Sequence, residues 1–204
     1  MTKTPPLRLE KELWALGFKY VGGIDEAGRG AWAGPVAAAV VVLPADAKVR
    51  RSLACVRDSK LMTPLQREHT APIIKKEALA WGVGFSSSEE IDSAGILSST
   101  RQAMMRAVEM LPELPEYLLL DYIHWPGLAN PHLILPKGER HSLSIAAASV
   151  LAKTTRDALM RDLDIQYPGY GFARHKGYGT AQHRIALNQQ GPCAIHRRSF
   201  AIYD

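Results

Sequence analysis

The sequence contains little cysteine, with only Cys55 and Cys193 among its 204 residues. The two lie far apart, and neither forms a CxxC pair or a Cys/His spacing that fits zinc. We therefore expect two free thiols in a reducing compartment, the cytoplasm, where isolated cysteines pack as small apolar residues. This scarcity argues against structural disulfides and against a cysteine-based zinc site.

Long hydrophobic runs are missing as well. The longest apolar stretch, residues 31–43, is interrupted by Gly34 and Pro35 and is too short to span a bilayer. The opening MTKTPPL lacks the apolar centre of a signal peptide. No internal repeat or low-complexity segment occurs, and 47% hydrophobic against 22% charged residues allows a buried core. We expect a folded chain without a membrane partner.

The positive charge of the chain is unevenly distributed. Residues 1–121 carry 15 basic and 15 acidic side chains, whereas residues 122–204 carry 10 basic and 5 acidic ones and six of the seven histidines. Cationic side chains displace the counterions condensed on nucleic acid, so the basic segment suggests a phosphate-rich partner. A solvated basic surface would explain the same excess, and charge alone does not choose between the two.

The spacing of apolar residues predicts alternating strands and helices. Leucines at helical spacing predict a short first helix that Gly17 ends, and Thr63 followed by Pro64 is typical of a helix start. Strands are predicted at residues 20–26, 36–43, 80–85, 117–121 and 133–135. Helices are predicted at residues 63–77, 96–111, 142–167 and 180–188, with a further helical start at 88–90. This order predicts one α/β domain over residues 1–204 with a mixed sheet, in which residues 168–204 form a small helical part.

Three acidic residues stand at the ends of two predicted strands. Asp25 and Glu26 end the first strand before the run AGRG, and Asp121 ends another. Neighbouring strand residues point to opposite faces, so Asp25 and Glu26 meet in one site only if the strand twists or ends there. Clustered carboxylates repel one another, and an oxygen-only ligand set favours magnesium or manganese over zinc. From the residues alone, Asp25 as a turn residue and Glu26 as a surface charge remain alternatives.

A series of motifs follows these acids in a definite order. They are GIDEAGRGAWAGP at 23–35, RDSKL at 57–61, SIAAAS at 144–149, AKTTRD at 152–157, YPGYGF at 167–172, HKGYGT at 175–180 and GPCAIHRRSF at 191–200. Together they resemble the ribonuclease HII family over nearly the whole chain. The resemblance implies a ribonuclease H-like fold, with a mixed five-stranded sheet flanked by helices and a small C-terminal helical part.

The resemblance implies a two-metal site for Mn²⁺ or Mg²⁺, in which Asp25, Glu26 and Asp121 are catalytic metal ligands. The family's fourth acid is an Asp in a Lys-Gly-Asp run, and the matching residue here is Glu139. Glu139 retains a carboxylate on a longer arm. The family also places Gly after the third acid, whereas this chain has Tyr122. The loop after Asp121 therefore departs from the family pattern.

The resemblance also implies how the substrate is recognised. The run Gly28, Arg29 and Gly30 resembles the family's strand-recognition motif, whose glycines let the backbone approach the 2′-hydroxyl of ribose. The Arg29 side chain either contacts phosphate or braces the loop. Tyr178 matches the tyrosine that stacks on the sugar of the deoxynucleotide after the ribonucleotide. Lys60, in the run of Asp58, Ser59 and Lys60, is expected to contact phosphate.

Other charged residues of the same motifs have less direct roles. Lys176, Arg197 and Arg198 are expected to contribute to a basic track for nucleic acid. Asp157 lies inside the predicted long helix beside Arg156. We interpret Asp157 as part of a structural ion pair or of the helix surface, and we leave it out of the metal ligands.

The implied enzyme is a ribonuclease H, a metal-dependent endonuclease that hydrolyses the RNA strand of RNA–DNA hybrids. Water attacks in line at the phosphorus 5′ to a ribonucleotide and leaves a 3′-hydroxyl and a 5′-phosphate. The family also cuts at ribonucleotides embedded in duplex DNA, which implies a role in primer removal or ribonucleotide excision repair. We expect a monomer, because the sequence has no long heptad pattern.

Two other functions fit parts of the sequence. The run GRGAWAG at 28–34 faintly resembles a dinucleotide-binding loop of an oxidoreductase. Such a loop opens a helix, whereas Pro35 and a Val/Ala strand follow here. The second alternative is a non-catalytic RNA–DNA binding module, which Glu139 and the altered stretch after Asp121 would allow.

Overall fold

The computed structural model of the protein describes residues 4–201. The ends of the predicted domain, residues 1–3 and 202–204, lie outside the described residues, as does the start of the MTKTPPL opening. The strands are β1 (Val21–Ala27), β2 (Val36–Val42), β3 (Ala80–Ser86), β4 (Tyr117–Asp121) and β5 (His132–Leu135). The helices are α1 (Arg8–Ala15), α2 (Val49–Ser52), α3 (Pro64–Glu77), α4 (Ser88–Ala94), α5 (Ile96–Glu109), α6 (Leu143–Gln166), α7 (Phe172–His175) and α8 (Ala181–Gln190), with short 3₁₀ helices at Ser59–Leu61 and Gly138–Arg140. The predicted elements are all present, and the short helices α2 and α7 are additional. None of the helices in the described part of the chain is long and apolar enough to cross a membrane.

The five strands form one mixed sheet in the order β3-β2-β1-β4-β5. The central strand β1 is antiparallel to β2 and parallel to β4. On the outer sides, β3 is antiparallel to β2 and β5 is parallel to β4. The predicted α/β fold with a mixed five-stranded sheet is confirmed. Because β1 and β4 are parallel neighbours, their carboxyl ends lie at the same edge of the sheet.

Helices cover both faces of the sheet, which explains why β2 is apolar throughout. Ala39 and Val41 of β2 pack in one apolar cluster with α6, whereas Ala38 and Val40 pack in another with α5. A strand that is buried on both faces has a continuous apolar sequence rather than an alternating one. The interpretation of residues 36–43 as a buried strand is therefore confirmed.

The long helix α6 lies close to β1 because Gly23 has no side chain. A Cβ atom at Gly23 would lie only 2.4 Å from the backbone nitrogen of Ile145. The hydroxyl of Ser142 caps α6 by accepting a hydrogen bond from the Ile145 N–H. The buried carboxylate of Glu10 in α1 accepts hydrogen bonds from the Ser142 hydroxyl at 2.6 Å and from the Ser144 N–H at 2.9 Å. These contacts fix the start of α6 against the strand that carries Asp25 and Glu26.

The residues after α6 pack against the end of that helix. Phe172 and Leu187 form an apolar cluster with Met160 of α6 and with Ala33, which lies in the loop between β1 and β2. The Ala33 end of this loop is therefore packed against the C-terminal residues. The assignment of residues 168–204 to a small part of a single domain stays a prediction.

Replacing Gly23 with alanine is expected to destabilise the fold, because the added methyl group would meet the backbone of α6. We expect the free energy of unfolding to fall by about 3 kcal/mol, at the upper end of the usual cost of overpacking. Gly30→Ala is the matched control, since a Cβ atom at Gly30 would meet nothing within 4 Å. Urea unfolding followed by circular dichroism measures both variants. Equal stabilities would contradict the close approach of α6 to β1.

Candidate active site

Acidic side chains from β1 and β4 meet at one edge of the sheet. Asp25 and Glu26 lie near the end of β1, and Asp121 is the last residue of β4. The pairing of these parallel strands reaches Ile24 and Leu120, so Asp25 and Asp121 occupy the next position on each strand. The charge of Asp121 raises the pKa of both Asp25 and Glu26. The structure thus brings the three predicted acids together.

The way in which Asp25 and Glu26 share this edge differs from the expectation. The strand does not end at the acids, because β1 continues to Ala27 in register with β2. The β2 partners of the two acids, Ala39 and Ala38, pack on opposite faces of the sheet, so the two acids also lie on opposite faces. The pairing with β4 stops just before them. Both side chains can therefore approach the same open edge.

Glu139 reaches this edge through the turn that follows β5. The pairing of β5 with β4 ends at Leu135 opposite Asp121, and Lys137 then takes a left-handed backbone conformation with a φ of 57°. The Gly138 N–H donates a hydrogen bond of 2.7 Å to Oδ1 of Asp121, which fixes the turn against that acid. Glu139 follows and is 5% exposed. The predicted fourth acid therefore lies within electrostatic reach of Asp121.

Burial and mutual repulsion oppose the ionisation of these carboxyl groups. Burial raises the pKa of Asp25 well above its ordinary value, and the charges of Glu26 and Asp121 raise it further. Burial also raises the pKa of Glu26, although Arg29 acts in the opposite direction. The pKa of Glu139 is raised by burial and then by Asp121. A bound cation would relieve both effects.

Two buried oxygens in this group lack a hydrogen-bond partner in the described structure: Oε2 of Glu26 and Oε2 of Glu139. A buried polar atom without a partner is costly and indicates a place that an ion or a water completes. The nearby atoms that could bind a metal ion are carboxylate oxygens, which suit Mg²⁺ or Mn²⁺. Within residues 4–201, no three His, Cys, Asp or Glu side chains are already arranged around one ion position. The candidate ligand set is thus made of carboxylate oxygens alone, which suits Mg²⁺ or Mn²⁺, and the role of these acids as metal ligands stays a prediction.

Lys60 brings a positive charge to the same group of acids. Burial lowers the pKa of Lys60, but Asp25 and Asp58, together with the other acids, raise it above its ordinary value. Asp58 accepts the Lys60 N–H at 2.9 Å and so caps the short 3₁₀ helix. The hydroxyl of Ser149 on α6 donates to that of Ser59 at 2.6 Å. Lys60 is thereby held beside the acids, and its contact with phosphate stays a prediction.

Tyr122 keeps the backbone conformation that glycine would adopt after Asp121. Its φ is 52°, in the left-handed region, and its side chain lies at the surface. The Tyr122 N–H donates to the carbonyl of Leu135 at 3.0 Å, which holds the turn in place. At the position where the resemblance implies Gly, this chain therefore has a tyrosine in a strained backbone conformation.

Tyr122→Gly is expected to raise the free energy of unfolding by about 1 kcal/mol, because glycine adopts a positive φ without strain. Tyr122→Ala is the control, since it removes the exposed ring and keeps the strain. Thermal unfolding of both variants tests the explanation. If alanine stabilised the protein as much as glycine, the effect would belong to the ring and not to the backbone.

The loop after β1 carries the predicted recognition residues Gly28, Arg29 and Gly30. Gly28 has a φ of 93°, and its carbonyl accepts the Ala31 N–H at 3.3 Å, which closes a turn. Gly30 is exposed. The guanidinium of Arg29 lies 3.2 Å from Oε1 of Glu26, so of its two expected roles the bracing one is observed. The chain then continues into strand β2 rather than a helix, which removes the dinucleotide-loop alternative.

Tyr178 lies directly beside this loop. Its backbone forms an antiparallel bridge with Ala31, and the neighbouring Gly177 carbonyl accepts the Trp32 N–H at 2.8 Å. The ring is half-buried, and the ammonium group of Lys153 lies 5.3 Å from its centroid. Backbone contacts therefore make Tyr178 a direct neighbour of the glycine-rich loop.

Two of the three cations expected in a basic track make internal contacts. Arg197 is fully buried, because its guanidinium is held by backbone carbonyls of the glycine-rich loop. Its prediction as a surface contact to nucleic acid is therefore wrong. The ammonium group of Lys176 turns toward the carbonyl of Ala173. Arg198 is exposed, and its place in a basic track stays a prediction.

Two neighbouring charged residues of α6 have structural roles. Asp157 pairs with Lys153 at 2.7 Å and with Arg67 at 3.5 Å, which confirms its interpretation as a structural ion pair. Arg156 is fully buried and donates to the carbonyl of Pro35 at 2.8 Å. Arg156 therefore holds the far end of the loop between β1 and β2.

Three buried histidines lie behind Tyr178, a cluster that the sequence analysis missed. The Cys193 N–H donates to Nδ1 of His196, which makes Nε2 of His196 the donor to Nε2 of His183 at 3.0 Å. Nδ1 of His183 then donates to the Tyr178 carbonyl at 3.1 Å. His175 stacks on His183 with ring centroids 4.4 Å apart. This chain of hydrogen bonds needs neutral rings, and burial lowers the pKa of His183 to about 4.

Buried Arg156 could have been found from the sequence, whereas Arg197 and His196 could not. Arg156 lies four residues after Ala152 and four before Met160, and this helical spacing places all three on the buried face of α6. Arg197 and His196 lie in a segment without helix or strand, so no repeating pattern indicates which of its residues are buried.

The histidine cluster is expected to reduce the stability of the fold below pH 6.5. The pKa of His183 is lowered from 6.5 to about 4, so between these values the unfolded chain binds a proton that the folded chain does not. Neutral His183 contributes fully to the free energy of unfolding above pH 6.5. As the pH falls from 6.5 to about 4, this contribution decreases by up to about 1.4 kcal/mol per pH unit. His183→Asn keeps a donor for the Tyr178 carbonyl and should show a shallower dependence. Urea unfolding near neutral pH and about two units lower measures the difference; parallel slopes would contradict a neutral His183.

Comparisons with known proteins show the family of this chain. A family model described as Ribonuclease HII matches residues 22–203. A protein named Ribonuclease HII from Chloroflexus aurantiacus is 50% identical over 197 residues, which cover 96% of this chain and 93% of the relative.

Solved structures show the same fold. The ribonuclease H2 of Pyrococcus horikoshii OT3 matches with a TM-score of 0.74 and 25% identity, over 89% of this chain and 94% of the other. A structure described as Bst-RNase HIII in complex with Mn²⁺ matches with a TM-score of 0.66 and 18% identity, over 90% of this chain and 67% of the other. The sheet order and its flanking helices are thus those of the ribonuclease H-like fold.

Proposed function

Since this chain belongs to the ribonuclease HII family and is a ribonuclease H, we propose that it is a divalent-metal-dependent endonuclease that hydrolyses the RNA strand of RNA–DNA hybrids and cuts 5′ to ribonucleotides embedded in duplex DNA. The observation that carries this proposal is the meeting of Asp25, Glu26, Asp121 and Glu139 at one edge of the sheet, beside the glycine-rich loop.

In this proposal Asp25, Glu26, Asp121 and Glu139 hold two divalent cations, Mn²⁺ or Mg²⁺. When bound, the cations would activate a water molecule on one side of the phosphodiester and stabilise the leaving oxygen on the other. The raised pKa values of Asp25, Glu26 and Glu139 and the unpartnered Oε2 atoms of Glu26 and Glu139 support this assignment. The Mn²⁺ of the Bst-RNase HIII structure is in line with it.

The remaining groups orient the acids and the scissile phosphate. Gly138 holds one oxygen of Asp121 in place through its N–H, and Arg29 does the same for Glu26. Lys60 offers its ammonium group to a phosphate oxygen beside the acids. Water forms a bond to the phosphorus 5′ to the ribonucleotide while the bond to the 3′ oxygen breaks. That oxygen takes up a proton, so the products are a 3′-hydroxyl and a 5′-phosphate.

Recognition of ribose is assigned to the surface formed by the loop and Tyr178. Gly28 and Gly30 lack side chains, so the backbone there can approach the 2′-hydroxyl closely. The Tyr178 ring would stack on the sugar of the next nucleotide, where a flat ring leaves little room for another 2′-hydroxyl. Such an arrangement favours an RNA–DNA junction. We propose on this basis a role in primer removal or ribonucleotide excision repair, and we keep the expectation of a cytoplasmic monomer.

A labelled DNA duplex that carries one ribonucleotide, incubated separately with Mg²⁺ and with Mn²⁺, tests the proposal. We expect cleavage on the 5′ side of the ribonucleotide and its loss in EDTA. Cleavage of long hybrids alone would keep the nuclease and remove the junction role of Tyr178. If folded protein bound both substrates and cut neither, the non-catalytic binding module would be the better description.

Asp121→Asn is expected to slow cleavage by on the order of 10³-fold while binding of the hybrid survives. The amide keeps an acceptor for the Gly138 N–H but loses the charge that attracts a cation. The rise in melting temperature on adding Mn²⁺ provides a readout besides activity, and it should shrink in this variant. Asp162→Asn, at an exposed acid of α6, is the control. An unchanged Mn²⁺ effect in Asp121→Asn would remove Asp121 from the metal site.

A further inference from the structure

Arg197 is buried without an anionic partner. It is 0% exposed, and within residues 4–201 it forms no salt bridge; its guanidinium is held by backbone carbonyls. Nη1 donates to Arg29 at 2.8 Å, and Nη2 donates to Gly28 at 2.8 Å. Nε and Nη2 also donate to Gly34, at 3.0 and 2.9 Å. Burial of an unpaired cation is costly, so this set of carbonyls must compensate for lost hydration.

The direction of these carbonyls determines where the N–H groups of the same peptides point. In a trans peptide the carbonyl and the N–H point in opposite directions. The carbonyls of Gly28 and Arg29 point toward Arg197, so the N–H groups of Arg29 and Gly30, which belong to the same two peptides, point away from it. Among the described residues, neither N–H has a hydrogen-bond acceptor. Two adjacent donors therefore face outward at an exposed glycine.

We propose that Arg197 is a positioning residue for ribose recognition, which holds the loop so that the N–H groups of Arg29 and Gly30 donate to the 2′-hydroxyl oxygen of the ribonucleotide. This inference rests on the proposed function, because it assigns a role within the same substrate site. Arg197 does not touch the substrate. It acts through the two peptides, and its buried positive charge adds to the attraction that their N–H groups exert on an oxygen acceptor.

The segment that carries Arg197 is itself held on both sides. His196 forms an antiparallel bridge with Ala33, which joins the segment to the loop. On the other side, the carboxylate of Asp92 in α4 accepts the Ser199 N–H at 2.9 Å and the Ser199 hydroxyl at 2.7 Å. The backbone that carries the guanidinium is therefore held by the loop at Ala33 and by α4 at Asp92. Such support is what a residue needs if it is to set the orientation of a loop and not merely follow it.

Amide NMR of the wild-type protein in EDTA tests the first half of the inference. The cross-peaks of Arg29 and Gly30 should shift when a duplex with one ribonucleotide is added, and they should shift less with the matching all-DNA duplex. If both duplexes moved them equally, the acceptor would be phosphate and the inference would fail. If neither moved them, it would fail as well. This measurement does not depend on the folding of any variant.

Arg197→Met tests the second half, with Arg184→Met as the control. Arg184 is exposed and lies 5.2 Å from the Trp32 ring, so its loss removes a nearby cation without freeing loop carbonyls. Loss of two oriented hydrogen bonds should raise KM for the single-ribonucleotide duplex by about 10-fold or more, with kcat within about threefold, because the acids on β1 stay in place. The ribonucleotide-dependent shifts of Arg29 and Gly30 should disappear in Arg197→Met and persist in Arg184→Met.

Arg197→Lys covers the case in which Arg197→Met does not fold. Lysine keeps the charge but donates from a single point, so it cannot span three carbonyls. The same rise in KM is expected, to a smaller extent. A variant at Arg197 with wild-type KM and wild-type amide shifts would overturn the inference. Failure of the wild-type protein to cut any substrate would instead overturn the proposed function, so the two failures are distinguishable.

Discussion

Repulsion among four acids at one edge of the sheet is the constraint on which the rest of the structure depends. Burial makes the negative charges of Asp25, Glu26 and Glu139 more costly, the charge of Asp121 adds to this cost, and the four acids have only a few cationic neighbours, such as Lys60. Such a group does not hold itself together. The frame around it must resist the repulsion, and the doubly covered sheet and the close contact between β1 and α6 provide that resistance. The stability of the core is thus what permits an unfavourable arrangement of charge at its edge.

The basic residues divide into two populations that net charge does not distinguish. Lys60 and Arg198 are exposed, whereas Arg156 and Arg197 are buried and bind backbone carbonyls of one loop. The excess of positive charge after residue 121 therefore includes cations that face the interior. These buried cations hold the shape of the loop through their hydrogen bonds to its carbonyls. Guanidinium groups suit this task because their donors form a planar fork that can bridge several carbonyls.

Most of the fold could be predicted from the sequence because regular elements leave local patterns. The apolar run of β2 and the Thr63 cap of α3 are examples, and the cap is part of a reciprocal pair of hydrogen bonds with Gln66. Three acids of the candidate site, Asp25, Glu26 and Asp121, stood at predicted strand ends. Their convergence depended on where β4 stops relative to β1, which is a property of strand pairing and not of local sequence. The contacts of Arg197 and His196 join irregular segments over long stretches of chain, so neither periodicity nor capping could have indicated them.

The contact between Arg197 and Gly28 spans 169 residues, and this separation bears on how the protein is made. During synthesis β1 leaves the ribosome early, and the strands and turn that assemble the acids are complete before α6 begins. The glycine-rich loop lacks its brace until Arg197 has also emerged, because contacts distant in sequence form only once both partners are available. A chain interrupted between these points would hold all four acids but not the fixed loop beside them. The acids proposed to bind the metal ions are therefore synthesised well before the arginine proposed to position the loop.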